Sequence, residues 1–589
     1  MAGGVRSDGP PVERAGGGQP FRVPDPVGRW PQQWCGEHDR LRLVLSGTAH
    51  LRQCAAASAG RTSVTRLTVR LRDWWPPTVA WSGRIGPVRG LLEHRVQFRP
   101  RARTLTISLR LSTPCDLGEL LLAVAGAADP YRPATSTGAA QLAIAVPTTA
   151  TAGPLLAWGP ELIGPDEHLD EQLRRTDVLL DVGAETAAST VQAASVAAAS
   201  LLRSPLVDVT VCNPRGRRPH GPATYASLVR VGERWQVVSE DGTAVCELTE
   251  SLREPDVRAL RAVDVCRVPA GDPGAQLLLQ LSACGVVVSV PPGGQLPDGV
   301  APVLQELWRQ EPPAAQDRLG LVVASVRQSR EALRRHGSAA RRDQVTALVG
   351  QPDQPVSVLL MTRRPAQARG VLSQLAASSY PELQVVVGVH GDAGQEAGVA
   401  AVAAEVGLTQ VEVHNVAAAL PFGAGLAQLS ARADGELLTK VDDDDYYGPE
   451  HVADLVLARQ HSAAQLVGKP LSFVHLQDQD RTLWRDTGTV EGYASFVAGG
   501  TILISAADLR AVGGWRPVPR SVDRALLQRV LRAGALVYSL HGLGYVYVRH
   551  GSGHTWEAGS DRFLDAPLHQ QWDGLLRHRE LGTDQVARR

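Results

Sequence analysis

The chain has 589 residues, of which 44% are hydrophobic and 20% charged, and its 60 basic residues balance 60 acidic ones. This composition is typical of a globular protein with sizeable cores and roughly three or four domains. The balanced charge excludes a strong overall field that would recruit nucleic acid or an anionic membrane surface. We therefore expect no nucleic-acid partner.

The cysteines and the apolar segments indicate the cellular compartment in which the protein is expected. The seven cysteines are scattered, odd in number and never spaced as Cys-x-x-Cys, which fits neither a disulfide framework nor a zinc site. Residues 1–26 lack the apolar core of a signal peptide, and no apolar stretch is long enough to span a bilayer. These features predict a cytoplasmic protein with reduced thiols and no transmembrane segment.

The N-terminal part is predicted to be β-rich. Residues 1–30 are rich in glycine and proline and are expected to be disordered, ahead of a β-rich domain over residues 31–150. Apolar and polar residues alternate in Leu67–Arg72 and Thr104–Leu111, as in half-buried antiparallel strands. The tryptophans between these segments, Trp74, Trp75 and Trp81, could bind sugar but are expected to pack in the core or in turns.

Residues 155–350 alternate between strand and helix patterns and predict an α/β domain with a parallel sheet. The predicted strands are 177–182, 206–212 and 286–290, and the predicted helices are 187–202, 275–284 and 327–348. Gly285 is expected to end the second helix. The helix–glycine–strand unit from Leu277 to Pro291 resembles the nucleotide-binding half of glycosyltransferases with a GT-B fold, while a structural or acceptor-binding role fits equally well.

A third segment, residues 355–565, follows a proline-containing linker and again alternates between strand and helix patterns. Strands are predicted at 356–361, 383–389, 411–413 and 437–441, with helices to about 378 and at 396–406 and 426–433. Ligands of such parallel sheets bind beyond the carboxyl ends of the strands. Thr362, Arg363 and Arg364 lie at the first such end, His390 at the second, and a run of aspartates at the last.

The aspartate run Asp442–Asp445 follows the apolar strand directly. Four adjacent carboxylates repel one another, and a hard divalent cation, Mg²⁺ or Mn²⁺, would relieve this repulsion and bridge to a phosphate. On an extended backbone Asp442 and Asp444 would converge while Asp443 points away. The alternative is a solvated acidic turn. Lys440, one of only two lysines in the chain, offers a compact charge beside the run.

Several motifs in order, over about residues 355–556, resemble the family-two glycosyltransferases with a GT-A fold. Thr362-Arg363-Arg364-Pro365 resembles the nucleotide-contacting loop, Gly423–Gly435 the segment before the metal motif, and Asp442–Asp445 with Pro449 the Asp-x-Asp motif. Val497–Trp515 resembles the acceptor-side loop. In Arg520–Leu527 the family carries a Glu-Asp pair, of which Asp523 matches while Val522 replaces the glutamate.

The resemblance implies a role for each matching residue. It implies nucleotide contacts from Thr362, Arg363, Arg364, Asp442 and Asp443, and a metal on Asp442 and Asp444. It places Gly499, Gly500, Thr501 and Trp515 on the acceptor side. His390, at a strand end where the family often has an acidic residue, and Lys440, which could instead be a leftover surface lysine, are further predicted nucleotide contacts. His554 is a further predicted metal ligand. His554 follows a strand and could instead contact a phosphate.

The resemblance implies that Asp523 is the general base, which takes the proton that an attacking hydroxyl must lose. Its alternative role is to cap the following helix, expected over Arg524–Leu531. His550 and His554 are the next candidates for the base. Beyond residue 565, a helix over Pro567–Arg579 and a polar tail, residues 566–589, are expected.

Together these features predict an inverting glycosyltransferase that moves a sugar from a nucleotide-sugar donor to a hydroxyl acceptor, such as a glycan, a lipid-linked or a small molecule. Its predicted fold class is α/β: a C-terminal GT-A-like domain is preceded in the chain by an α/β domain with a GT-B-like unit, and by an N-terminal β-rich domain. A nucleotidyltransferase or phosphotransferase is a rival, although Met361–Arg364 offers no glycine-rich phosphate loop. A second rival is a non-catalytic carbohydrate- or partner-binding scaffold derived from glycosyltransferase domains.

Overall fold

A computed structural model describes most of the chain in two compact units, residues 1–77 with 81–203 and residues 78–80 with 204–589. The described residues are 32–45, 61–72, 90–99, 102–128, 205–209, 211–217, 223–248, 252–269, 273–337, 355–381, 383–391, 394–462, 464–488, 490–533, 535–550 and 567–584, with shorter pieces such as 21–22, 142–145, 156–158, 161–163, 178–181 and 561–564. Within these ranges, no helix combines the length and the apolar character needed to cross a bilayer.

The first unit contains a five-stranded sheet in the order β1-β2-β3-β5-β4. Its strands are β1 (Phe21–Arg22), β2 (Gly36–Leu45), β3 (Thr62–Leu71), β4 (Leu91–Arg99) and β5 (Thr104–Asp116). Both alternating segments of the sequence are therefore strands, as predicted. β2 and β3 are parallel, while β3, β5 and β4 are antiparallel.

The helix Leu117–Ala128, which was not predicted, packs Leu117, Leu120 and Leu121 into the core of this sheet. Trp74 is buried against Phe98, as expected for a packing role, whereas Trp75 and Trp81 lie outside the described residues. Four short strands pair at the end of the unit: β6 (Leu142–Ala145) with β9 (Val178–Asp181), and β7 (Leu156–Trp158) with β8 (Glu161–Ile163). The predicted strand 177–182 thus exists, and the predicted helix 187–202 falls outside the described residues.

The second unit begins with another five-stranded sheet, in the order β12-β11-β10-β13-β14. Its strands are β10 (Tyr225–Val231), β11 (Arg234–Ser239), β12 (Ala244–Leu248), β13 (Val265–Arg267) and β14 (Val287–Ser289). The helices around it are Glu254–Leu260, Ala275–Ala283, Pro302–Arg309 and Arg318–His336. The sheet is mixed, because β10, β11 and β12 form an antiparallel meander beside the parallel β13 and β14. The prediction of a purely parallel sheet was wrong.

Two further predictions for this segment need correction. The described residues of 206–212, which exclude residue 210, form no strand: Val207 makes one isolated bridge to Gly337, and Cys212 closes a turn onto Asp208. Val207, Val209 and Cys212 are buried in the core without forming a strand. The predicted helix 327–348 begins earlier, at Arg318, where Asp317 caps it by accepting a hydrogen bond from the amide of Gly320. Residues beyond 337 in that prediction lie outside the described part.

The predicted helix 275–284 and the strand after it are confirmed. The helix runs from Ala275 to Ala283, and Gly285 follows with φ +83°, a left-handed conformation that glycine adopts without strain. β14 then starts at Val287, inside the core that the helix covers.

An eight-stranded sheet carries the last part of the chain, in the order β17-β16-β15-β18-β24-β20-β25-β23. Its strands are β15 (Val356–Thr362), β16 (Leu383–Gly391), β17 (Val411–Ala417), β18 (Leu437–Val441), β20 (Leu466–Gly468), β23 (Gly492–Tyr493), β24 (Leu503–Ser505) and β25 (Val537–Ser539). β17, β16, β15 and β18 are parallel, as predicted, and β24 pairs antiparallel with β18. The flanking helices are Ala368–Ala376, Glu396–Glu405, Phe422–Ser430, His451–Ser462, Ala506–Ala511 and Val522–Arg532.

A third five-stranded sheet, in the order β19-β26-β21-β22-β27, follows the aspartate run. Its strands are β19 (Tyr446–Tyr447), β21 (Phe473–Leu476), β22 (Arg481–Arg485), β26 (Tyr545–Arg549) and β27 (Leu568–Asp573), with a short helix at Asp561–Leu564. β27 replaces the helix predicted over Pro567–Arg579. It forms because the segment pairs antiparallel with β22, whose residues lie 83 to 90 positions earlier in the chain, and local propensity does not reflect such distant pairing.

Candidate active site

Three parallel strands end at one edge of the eight-stranded sheet, and their last residues meet there. Thr362 ends β15, His390 lies near the end of β16, and Asp442 follows β18. The Thr362 hydroxyl donates to Asp443 Oδ2 at 2.6 Å, and the Arg363 Nε donates to His390 Nδ1 at 3.2 Å. The residues predicted to line this edge are therefore brought together.

Arg364 connects the loop after β15 to the aspartate run. Its Nη2 donates to Asp443 Oδ1 at 2.6 Å and to Asp444 Oδ2 at 2.8 Å, and its backbone N–H donates to the Thr362 hydroxyl. The Arg364 side chain remains 40% exposed. It is thus an oriented cation with an accessible face, which suits contact with an anionic ligand.

Asp444 has two basic neighbours, since His550 Nε2 lies 3.4 Å from its Oδ2 in addition to Arg364. Burial acts to raise the pKa of Asp444, but the hydrogen bonds and charges of His550 and Arg364 outweigh burial and lower that pKa to about 2. Asp444 is therefore a permanent anion at neutral pH. His550, the second candidate for the base, is here a partner of the aspartate run.

The expected alternation of carboxylates along the run was wrong. β18 ends at Val441, and Asp443 and Asp444 lie in a turn instead of continuing the extended backbone. Both therefore face Arg364, while Asp442 pairs with Lys440. The alternation rule applies only to an extended strand.

Asp445 is internal. It is buried, and its carboxylate accepts hydrogen bonds from the Tyr545 hydroxyl at 2.7 Å and from the backbone N–H of Val548 at 2.9 Å. Burial, together with the neighbouring Asp444 and Asp442, raises its pKa well above the ordinary value. Asp445 therefore joins the run to β26 and has no open face for a ligand.

Lys440 joins two carboxylates that come from different elements. Its Nζ lies 2.7 Å from Asp442 Oδ1 and 3.6 Å from Asp523 Oδ2, and only 3% of its side chain is exposed. Burial raises the pKa of Asp442, and the nearby Asp523 and Asp444 add to this effect against the opposing charge of Lys440. The lysine predicted to contact a nucleotide thus lies beneath the site surface.

Asp523 occupies the first turn of the helix Val522–Arg532, whose N-cap residue is Ser521. The helix-cap alternative for Asp523 is therefore not supported. Its side chain is 31% exposed, and its Oδ1 has no hydrogen-bond partner among the described residues. Val522, which stands where the resembling family has a glutamate, is buried in the core.

The short 3₁₀ turn Gly499–Thr501 lies between the two carboxylates. A Cβ atom on Gly499 would come within 2.1 Å of Asp523 Oδ2, and one on Gly500 within 2.7 Å of Asp442 Oδ2. The absence of side chains at both positions is what permits this approach. The predicted acceptor-side glycines therefore touch both the base candidate and the aspartate run.

The other two residues predicted for the acceptor side are internal. The Thr501 hydroxyl accepts from the backbone N–H of Lys469 and donates to the carbonyl of Ala498, with no exposed surface. Trp515 is 5% exposed, packs in the core and donates from its indole to Ser430. Both side chains hold the loop and do not face the site opening.

His390 is also largely buried. Its Nε2 lies 2.9 Å from the carbonyl oxygen of Leu420, while its Nδ1 accepts from Arg363. Burial and the adjacent Arg363 lower the pKa of His390, which keeps the imidazole neutral. Its contribution is to orient Arg363.

Sequence reasoning missed Tyr447 as a site residue. Its buried hydroxyl accepts from the backbone N–H of Asp442 at 2.8 Å and donates to the carbonyl of Gly500 at 3.0 Å. One hydroxyl therefore ties the aspartate run to the glycine turn. The only signal in the sequence was its position two residues after the run, because Gly500 lies 53 residues away.

The side chains predicted to bind a divalent cation, Asp442, Asp444 and His554, do not form a metal site among the described residues. His554 lies outside the described residues, and within the described part no group of three or more His, Cys, Asp or Glu side chains is arranged to hold a metal. Lys440 pairs with Asp442, and Arg364 and His550 pair with Asp444. In this arrangement the residues do not fit a metal, because protein cations already compensate the carboxylates that would bind it.

No protein-family model matches the chain, and no curated protein matches it. Among solved structures, TarS 1-349 from S. aureus in complex with UDP-GlcNAc is 16% identical, with a TM-score of 0.30 over 35% of this chain and 61% of that chain. The mannosyltransferase PcManGT from Pyrobaculum calidifontis, in complex with GDP-Man and Mn²⁺, is 13% identical, with a TM-score of 0.27 over 34% and 58%. The chain thus spans about three fifths of each, and a likeness at these scores establishes neither fold nor activity.

Proposed function

We propose that the chain is a glycosyltransferase that moves a sugar from a nucleotide-sugar donor to a hydroxyl acceptor. The single observation that carries this proposal is the meeting of Asp442 and Asp523 on the two sides of the Gly499–Gly500 turn. Arg364, which Asp443 and Asp444 orient, supplies positive charge for a leaving diphosphate, and the partly exposed Asp523 carboxylate beside the glycine turn suits an attacking hydroxyl. The motif order of residues 355–556 supports the same assignment.

On the donor side, Arg364 would receive the diphosphate. Its guanidinium is held by Asp443 and Asp444, so little conformational entropy is lost when the ligand binds, and its exposed face is free to meet phosphate oxygens. His550, at the same carboxylate, adds charge on this side when protonated. The charge that develops on the leaving diphosphate would thus meet fixed cations.

On the acceptor side, Asp523 would act as the base. Its carboxylate takes the proton from the acceptor hydroxyl as that oxygen attacks the anomeric carbon. The bond from the anomeric carbon to the diphosphate oxygen breaks, and its electron pair leaves with the nucleoside diphosphate. Direct displacement of this kind inverts the anomeric centre, as the resemblance to family two implies.

A divalent cation, Mg²⁺ or Mn²⁺, belongs to the proposal only as far as the resemblance implies it. To reach Asp444 it would have to displace Arg364 or His550. The steps above therefore use the groups of the chain itself.

The experiment is a screen of nucleotide sugars with a set of hydroxyl acceptors, with and without Mn²⁺, in which the released phosphate species is identified. The proposal predicts a nucleoside diphosphate. Release of inorganic pyrophosphate would indicate a nucleotidyltransferase instead. Binding of a sugar without turnover of any donor would indicate the non-catalytic scaffold. The sequence feature that favours this scaffold is Val522, which stands in place of the family's glutamate.

Two arginines of the same segment provide the matched variants. Arg364→Gln should weaken nucleoside diphosphate binding by about tenfold, a typical effect of one charge-assisted contact. Arg369→Gln removes an arginine that pairs with Glu405 at the exposed surface, and should leave binding unchanged. Equal affinities of both variants and the wild type, measured by calorimetric titration, would exclude Arg364 from the donor site.

A further inference from the structure

The chain contains only two lysines, and one of them lies under the proposed site. Lys440 is the fourth residue of β18, between the neighbouring strands β15 and β24, and its backbone N–H donates to the carbonyl of Ile502. A buried ammonium costs several kcal/mol unless it is paired. Here the pairing is double, with Asp442 at 2.7 Å and Asp523 at 3.6 Å.

The pairing comes from two separate parts of the chain. Asp442 lies two residues after Lys440, whereas Asp523 arrives on the helix Val522–Arg532, more than eighty residues later. Burial alone would lower the pKa of Lys440, but the charges of Asp442 and Asp523 outweigh burial and raise it, so the ammonium is permanent. A fixed positive charge therefore lies between the donor-side carboxylate and the proposed base.

Asp523 has few other restraints among the described residues. One of its oxygens, Oδ1, lacks a hydrogen-bond partner, and the other, Oδ2, faces Lys440 and the backbone of Gly499. The residue before its helix, Ser521, has φ +58°, a left-handed conformation that is uncommon outside glycine. The Lys440 ammonium thus lies within ion-pair distance of the Asp523 carboxylate, on the side of its Oδ2.

We propose that Lys440 is a positioning residue that holds the Asp523 carboxylate towards the acceptor and fixes its spacing from Asp442. This inference rests on the proposed function, because it assigns Asp523 the role of base. Lys440 itself neither gives nor takes a proton. When Asp523 accepts the proton of the hydroxyl and loses its negative charge, Asp442 remains to compensate the ammonium.

The test is a double-mutant cycle on kcat with Lys440→Gln, Asp523→Asn and the double variant. Glutamine keeps a donor for Asp442 and removes the charge, so the fold is less disturbed than with an apolar residue. Lys440→Gln should lower kcat by roughly 10- to 100-fold, the usual effect of a misplaced reacting group. The double variant should be about as slow as Asp523→Asn alone, because Lys440 acts through Asp523.

Two further variants separate positioning from stability. Lys440→Arg restores the charge and should recover part of the lost kcat. Lys469→Gln removes the other lysine, which is fully buried and contacts Asp454 and the carbonyl of Leu543. It should lower the melting temperature, while the factor by which Asp523→Asn reduces kcat should stay the same as in the wild-type background.

The outcomes distinguish this inference from the proposed function. If transfer is measured but the effects of Lys440→Gln and Asp523→Asn multiply, Lys440 does not act through Asp523 and the inference is wrong. A loss confined to donor affinity, with kcat unchanged, would also overturn it. If the wild type releases no nucleoside diphosphate from any donor, the proposed function fails and this inference fails with it.

Discussion

Four adjacent aspartates have the same chemistry in the sequence and three different environments in the structure. Asp442 pairs with Lys440, while Asp443 and Asp444 share Arg364. Asp445 is buried against the Tyr545 hydroxyl. The sequence predicts an acidic cluster after a strand but not these partners, because most of them come from positions about 80 to 100 residues away, brought together by strand pairing.

Glu491 is a residue whose environment the sequence does not indicate. It is buried with φ +49°, and it accepts hydrogen bonds from the Tyr538 hydroxyl at 2.8 Å and from the backbone N–H of His541 at 3.1 Å. Burial raises its pKa from 4.5 to about 7, against the lowering effect of these hydrogen bonds. The folded chain therefore holds a proton there at pH values at which the unfolded chain has released it.

This raised pKa predicts a pH dependence of stability. The contribution of Glu491 is fully present below its unfolded pKa of about 4.5 and is lost as the pH rises through 7. Glu491→Gln, which mimics the protonated form, should gain of the order of 2–3 kcal/mol relative to the wild type between pH 4.5 and 8. Urea unfolding of both proteins across this range measures the difference, and a difference independent of pH would contradict the assignment.

At the scale of elements, the strand order places the site. β15, β16 and β18 are adjacent and parallel, so their carboxyl ends form one edge. The apolar runs of these strands allowed this shared edge to be predicted from the sequence. The placement of Gly499, Gly500 and Thr501 on the acceptor side was predicted from motif resemblance alone. That these residues form a turn in contact with both carboxylates depends on β24 pairing with β18.

That turn gives a steric prediction. Gly499→Ala would place a methyl group 2.1 Å from the original position of Asp523 Oδ2, so the carboxylate must move. The added Cβ would also lie 2.5 Å from Asp523 Cγ, so the whole side chain must turn about its Cα–Cβ bond. Because a side chain can turn without unfolding its helix, the fold should survive, while kcat should fall by at least about tenfold with donor affinity nearly unchanged.

The control is Gly370→Ala in the helix Ala368–Ala376, where an added Cβ meets nothing within 4 Å. It should leave kcat unchanged and stabilise the helix by up to roughly 1 kcal/mol. If Gly499→Ala is as active as this control, the glycine turn does not lie against the working base. Steady-state kinetics and calorimetric donor titration of the two variants decide the question.

At the scale of the whole molecule, residues 204–589 form one compact unit although the sequence predicts two α/β segments there. A buried ionic cluster joins them. Arg330 Nε donates to Asp454 Oδ1 at 2.7 Å, and its Nη2 donates to Glu580 Oε2 at 3.0 Å. The predicted boundaries between the segments remain predictions. The sequence pattern does not indicate the contacts of Arg330 with Asp454 and Glu580, which lie 124 and 250 positions away from it in the chain.

The cluster predicts a large effect from one substitution. Arg330→Met should destabilise the unit by up to about 3–5 kcal/mol, because it removes the cation that the buried Asp454 and Glu580 share and leaves them to Lys469 and Arg327, respectively. Arg369→Met removes an arginine from an exposed pair with Glu405 and should cost less than about 1 kcal/mol. Similar unfolding free energies for the two variants would show that the cluster does not join the segments in solution.

The most direct measurement for the proposed function is the turnover of Asp523→Asn with donor affinity as the internal control. If Asp523 is the base, kcat should fall by roughly two to four orders of magnitude, the usual size of a general-base contribution, since an amide cannot take the hydroxyl proton. Donor affinity should barely change, because Asp523 lies across the glycine turn from Arg364 and the aspartate run. A variant that keeps full transfer activity would contradict the account and would leave the base to another residue, with His550 the first to test.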